Sequence, residues 1–112
     1  MEIVKTREDN SFTVAISGRL DTMSSPQLQS EMETVTAEAE NLVLDLKDLE
    51  YISSAGLRVI LLVKKAMDGR GTLVLKNVND TVMTILDVTG FSSILNIEPA
   101  HTESQNDEDT AD

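Results

Sequence analysis

Apolar and polar positions alternate along the start of the chain. Phe12, Val14 and Ile16 are interleaved with Ser11, Thr13, Ala15 and Ser17, the period-two pattern of a strand with one buried face. Met1 to Lys5 forms a shorter strand ahead of it, and the polar stretch Arg7 to Asn10 predicts a hairpin between the two. The period then changes. Leu28, Met32 and Val35 recur at spacings of four and three behind Ser25-Pro26, a helix start with a capping hydroxyl and a first-turn Pro. Asn41 to Leu46 and Thr72 to Lys76 are short apolar runs, expected as buried strands, with turn residues Gly69 and Gly71 before the second.

Val59 to Val63 fits a buried strand or a buried helix by periodicity alone. Length and flanks decide for a helix from Ser54 to Met67. It ends in a Lys64–Lys65 pair suited to the helix dipole, and Asp68-Gly69 stops it. Asn79-Asp80-Thr81 caps a third helix that runs through Val88 to Gly90, and Ser93 to Ile97 forms the last strand. The order β-β-α-β-α-β-α-β predicts an α/β fold. We expect a mostly parallel sheet of four to five strands, packed with helices, with one antiparallel edge strand from the hairpin.

Charge divides the chain. Of its 112 residues, 20 are acidic and nine basic, a net −11. Six acids and no Lys or Arg fall in 98–112, which leaves 14 acids against nine bases in 1–97. Segment 98–112 has only Pro99, Ala100 and Ala111 as apolar side chains and cannot offset the entropy of ordering, so it is expected to be a disordered acidic tail behind a folded domain of 1–97. The acidic balance excludes nucleic acid and anionic membranes as direct partners. The longest apolar run, Val59 to Val63, is too short to span a bilayer, and the charged Met1 to Asn10 has no leader-like stretch. With no Cys, disulfides, thiol nucleophiles and Cys-ligated zinc are out, which fits a cytoplasmic location. The single His, His101, lies in the tail, which excludes a multi-histidine metal site within one chain; neither a metal site nor a cofactor is expected.

One segment carries chemistry. Leu46 to Arg58 reads as a buried strand end and then a loop that presents Ser53 and Ser54 at the start of a helix. Either serine can serve as a plain helix cap, or carry a phosphate favoured by free N–H groups and the helix dipole. A serine nucleophile lacks its base, because 1–97 has no His and the segment is not G-x-S-x-G. A Ser–Lys pair would have to use Lys64 or Lys65, two or more turns along. Asp21 and Asp45 offer carboxylates for acid–base work or Mg²⁺, against the commoner role of such residues as caps and turn formers. Gly69-Arg70-Gly71 lacks the Gly-Lys-Ser/Thr pattern of a phosphate loop.

Four stretches together resemble the STAS domain, and within it the bacterial anti-sigma factor antagonists. They are Gly18-Arg-Leu-Asp21 with Pro26 and Leu28, Leu42 to Leu46 with Leu49, Ile52-Ser-Ser-Ala-Gly-Leu57, and Val88-Thr-Gly-Phe91. The resemblance spans 1–97 and implies a binding protein, not an enzyme. Its unphosphorylated form would bind an anti-sigma factor that is itself a serine kinase, and so free the sigma factor. Phosphorylation would block binding, and a type-2C phosphatase would reset it. Aligning Gly56 with the signature glycine places the phosphorylated serine at Ser54, with Ser53 as second choice. Ser53 stands where many members have Asp. Asp21, Ser53 and Gly56 would line the site, and Leu57, Arg58 and Lys64 are the partner-contact candidates, although a solvated helix face explains Arg58 and Lys64 equally well. Two other readings stay open: a STAS interaction subunit of another signalling or transport complex, with Ser54 only a cap, and a small hydrolase or nucleotide-processing enzyme. The chain departs from the family at Ser53 and in ending on an acidic tail instead of a further helix.

Overall fold

The computed structural model describes residues 1–100; His101 and the acidic stretch behind it lie outside the described residues. The elements are β1 (Glu2–Glu8), β2 (Ser11–Leu20), α1 (Ser25–Glu38), β3 (Asn41–Asp45), β4 (Leu49–Ile52), α2 (Ser54–Met67), β5 (Thr72–Val78), α3 (Asp80–Val88) and β6 (Ile97–Pro99). β1 pairs antiparallel with β2, and all other pairings are parallel, in the order β1-β2-β3-β5-β6. The α/β architecture, the antiparallel edge and all three helices agree with the hydrophobic pattern.

The alternation in β2 sets one face of the sheet. Val14 is in register with Leu44, and Leu44 with Leu75, so the three form one row. Phe12, Leu42 and Leu73 form the next. Leu28, Met32 and Val35 of α1, Ile60, Val63 and Met67 of α2, and Val82 and Leu86 of α3 join these strand residues in a single buried cluster. Among the described residues no helix is long and apolar enough to cross a membrane.

The structure corrects the sequence expectation in several places. The sheet has six strands, because Leu49–Ile52, expected as loop, forms β4. Its cause is a local hand-over along β2. Gly18 adopts φ +86° and the register shifts there, while the Gly18 N–H donates to the Asp48 carbonyl (3.0 Å). Leu46 to Leu49 closes as a turn, so the chain leaves β3 and rejoins the same edge of β2 as β4. The last strand is displaced as well. Gly90, at φ +82°, precedes a 3-10 turn over Phe91–Ser93, and the strand expected over Ser93 to Ile97 begins only at Ile97. Glu98 and Pro99, assigned by composition to the tail, are paired with Lys76 and Val78. Pro is tolerated there because β6 is the edge of the sheet. At α1 the capping position is Ser24, not Ser25, whose hydroxyl donates to the Asp21 carbonyl (2.5 Å). The cap of α3 is as expected: the Asn79 side chain accepts from the Val82 N–H (3.0 Å), and its amide also donates to the Leu49 carbonyl (2.7 Å), tying α3 to β4.

Candidate functional site

β2 and β4 end side by side, with Leu20 opposite Ile52. Beyond this pair the Ser53 N–H donates to the Leu20 carbonyl (2.8 Å), and α2 begins at the next residue. The turn is tight because the first turn of α2 sits directly on Leu20 and Ile52. A Cβ on Gly56 would lie 2.7 Å from Leu20 Cγ and 2.9 Å from the Leu20 carbonyl oxygen. Gly56 therefore lines the site as the residue that lets helix and strand ends meet.

The two serines have different environments. Ser53 is the N-cap of α2, half-buried, and its hydroxyl oxygen accepts from the Gly56 N–H (3.3 Å). Ser54 is the first helical residue and is exposed. Among the described residues its hydroxyl has no hydrogen-bond partner. Ser53→Ala should thus cost about 0.5–2 kcal/mol of stability, the usual worth of an N-cap. Ser54→Ala should change stability by less than about 0.5 kcal/mol, as expected of an unengaged surface position. Urea midpoints of the two variants check this; equal losses would contradict the division of roles.

Asp21 follows Leu20 in the loop before α1. Its carboxylate accepts from the N–H groups of Met23 (3.0 Å) and Ser24 (3.2 Å) and lies 3.9 Å from Arg19 Nε. Arg19 also stacks on the Tyr51 ring, 4.5 Å from its centroid. The Ser24 N–H, helped by the Ser24 hydroxyl, the Met23 N–H and Arg19, holds the Asp21 carboxyl below its ordinary value of 3.8, against some desolvation. The carboxylate is thus engaged in its own loop as a turn former. A depressed folded pKa adds stability above the unfolded value and loses it as pH falls through the folded one. The stability difference between wild type and Asp21→Ala should therefore be constant down to about pH 4 and shrink below it. A difference that grew on acidification would contradict this assignment.

The remaining sequence candidates do not converge on the serines. Leu57 is only 6% exposed and packs in the core, so it presents no surface to a partner. Lys64 is paired with Asp68 (2.9 Å), about 15 Å along the helix axis from Ser54, so it neither flanks Ser54 nor forms a Ser–Lys pair. Asp45 accepts from the Lys47 N–H (3.1 Å) and Asn77 Nδ2 (3.0 Å). It pairs with Ala15, six residues before Asp21, about 20 Å of strand away, so the two acids are not a pair. Arg58 is exposed and lies on the site side of α2.

Features missing from the sequence expectation complete the site. A cleft of about 330 Å³ opens between the start of α1 and α2, lined by Thr22, Pro26, Gln29, Ala55, Arg58 and Leu62 among others. It continues along the α1–α2 seam into a groove that shares Gln29, Val59 and Leu62 and adds Met32, Glu33, Thr36, Val63 and Ala66. Two large apolar side chains are exposed here: Leu62, 43% exposed, lines the cleft, and Met23, 89% exposed, lies in the loop that contributes Thr22 to it. Met23 had a sequence signal, an apolar residue inside the polar Asp21-Thr-Met-Ser-Ser-Pro26 turn. Leu62 had none, because the Val59 to Val63 run hides which apolar residue faces out.

Residues 2–104 match the STAS domain family, and the chain belongs to it. Among curated relatives, BtrV of Bordetella bronchiseptica, named as an anti-sigma factor antagonist, is 35% identical over 84% of this chain and 83% of its own. The anti-sigma-B factor antagonist of Bacillus subtilis is 29% identical over 81% of this chain and 84% of its own. An anti-sigma factor antagonist from Mycobacterium paratuberculosis has the same fold, with a TM-score of 0.81 at 19% identity over 92% of this chain and 89% of that one.

Proposed function

We propose that the protein is an anti-sigma factor antagonist, a cytoplasmic binding module that works as a phosphorylation-controlled partner switch. The partner is an anti-sigma factor with serine kinase activity. Docking of the unphosphorylated protein displaces the sigma factor, phosphorylation of Ser54 ends docking, and a type-2C phosphatase restores it. The names of the relatives support the partner class. The observation that carries the switch is the contrast at the head of α2: Ser53 is engaged as the cap, while Ser54 is exposed and unengaged beside a cleft of mixed polar and apolar lining. A kinase can take up the Ser54 hydroxyl without dismantling the helix start. Met23 and Leu62 supply the apolar surface that a docked partner would cover.

The test is incubation with the cognate anti-sigma factor and ATP, followed by mapping of the phosphate. We expect it on Ser54 and not on Ser53. Phosphate on neither serine would refute the switch. Phosphate on Ser53 alone would move the acceptor to the second-choice residue and refute the assignment of Ser54.

A further inference from the structure

Resting on the assignment of Ser54 as the phosphate carrier, we infer that Arg58 is the intrachain counter-ion of that phosphate. Ser54 and Arg58 are four residues apart on α2, both exposed. That spacing stacks two side chains on one helix face, with Cβ atoms about 5–6 Å apart. The direction is also right. Helical Cα–Cβ bonds tilt toward the N-terminus, and long side chains lie back over the preceding turn, so Arg58 leans onto the position of Ser54. A guanidinium with two parallel N–H groups matches a phosphate better than any other side chain.

Arg58 has no competing acid within the described residues. The ion pairs there are Lys5–Glu31, Arg7–Glu38, Arg19–Asp21 and Lys64–Asp68, and Arg58 belongs to none of them. On its own helix, positions three and four away are Ala55, Leu61, Ser54 and Leu62. Across the cleft α1 contributes Ser25, Pro26 and Gln29, and Arg58 is the only charged residue lining it; the α1 acid Glu33 lines the continuing groove, which Arg58 does not, and forms no ion pair with it. The loop before α1 carries one charged group, Asp21, which is paired with Arg19 at the end of β2. The counter-ion also changes what phosphorylation does to the surface. The phosphate adds about −1.5 to −2 charges and at the same time draws the cleft's one cation away from a partner.

The test uses the full chain with phosphoserine installed at position 54 by genetic encoding, so that it does not depend on any kinase. Phosphorus-31 NMR titration reads the second pKa of the phosphate in wild type, Arg58→Gln and Arg58→Lys. A cation in contact favours the dianion, so we expect the wild-type midpoint about half a unit below that of Arg58→Gln, with Arg58→Lys between them. The gap should narrow in 1 M salt, where the Debye length falls to about 3 Å. Equal midpoints in wild type and Arg58→Gln would overturn the pairing. That failure is distinct from failure of the switch, which is read separately as partner affinity with and without the phosphate. Arg58 is exposed, so neither substitution disturbs the core.

Discussion

Phosphoserine at position 54 is expected to lower the affinity for the proposed anti-sigma factor partner at least about a hundredfold, a cost of about 3 kcal/mol. The magnitude follows from where Ser54 sits. The serine hydroxyl is unengaged and lies beside a cleft whose lining is neutral except for Arg58. A partner that covers Met23, Leu62 and the cleft must also cover position 54. A hydroxyl can be covered at small cost by a single hydrogen bond, whereas a phosphate brings about two charges that must be stripped of water. Breaking the complementarity of a buried charged contact costs about 3–5 kcal/mol. The helix dipole stabilises a local anion by only about 0.3–1 kcal/mol, and it and Arg58 act on the free protein as much as on the complex, so they offset little of this cost. The fold should therefore tolerate the phosphate while the interface does not. Calorimetry of the unphosphorylated chain, the Ser54→Ala variant and the phosphoserine form against the cognate anti-sigma factor measures it. Ser54→Ala should bind within a few-fold of wild type. Undiminished binding by the phosphoserine form would mean that the docking surface does not include position 54.

How far the site could be read from the sequence depends on whether its determinants are local. The alternation of Phe12, Val14 and Ile16 fixed the buried face of β2 because side-chain direction in a strand follows sequence parity. The limits of α2, Ser54 to Met67, and the Asn79 cap of α3 were legible because capping chemistry is written in adjacent residues. β4 was not legible. Leu49-Glu-Tyr-Ile52 is too short to show a period, and it is a strand only because β2 has a free edge beyond the Gly18 bulge. That edge is a property of residues some thirty positions earlier in the chain.

The site divides in the same way. The signature around Ile52 to Leu57 located the serines, but not which of them caps and which is free. The exact first residue of α2 decides that, and a serine at either position is a good cap, so one residue of uncertainty in the helix start leaves the two roles open. Leu57, a partner-contact candidate by resemblance, is in the buried cluster with Ile60 and Met67, a burial that only the packing of α2 on the sheet reveals. The Lys64–Asp68 ion pair was legible in the sequence as an i,i+4 pair, because both residues lie on one helix. The cleft itself lies between two helices distant in sequence and could not be seen without their packing.

Two glycines separate the stability of the fold from the working of the site. Gly71→Ala should cost about 3 kcal/mol of stability, at the top of the range for overpacking, because its Cβ would overlap the carbonyl oxygen of Glu40. Backbone cannot rotate away as a side chain can, and that carbonyl also accepts from the Thr72 N–H (2.9 Å), so the start of β5 must shift. Gly56→Ala meets the Leu20 side chain and carbonyl and Ile52 Cγ2. Leu20 is fully buried and cannot yield. Relief from replacing a helical glycine, about 1 kcal/mol, offsets part of the strain, leaving a net loss of about 1–2 kcal/mol. The consequences for binding run the other way. Gly71 lies before β5, at the opposite end of the strands from Ser54, whereas Gly56 holds the Ser53–Ser54 turn against the ends of β2 and β4. Under conditions where both variants remain folded, Gly71→Ala should bind the anti-sigma factor as wild type does. Gly56→Ala should bind at least about tenfold more weakly, the equivalent of 1.4 kcal/mol lost from a misplaced helix start. Chemical denaturation and calorimetry on the same samples give both numbers. If Gly56→Ala lost stability but kept full affinity, the position of the α2 start would not matter to the partner, and the docking surface would lie elsewhere on the domain.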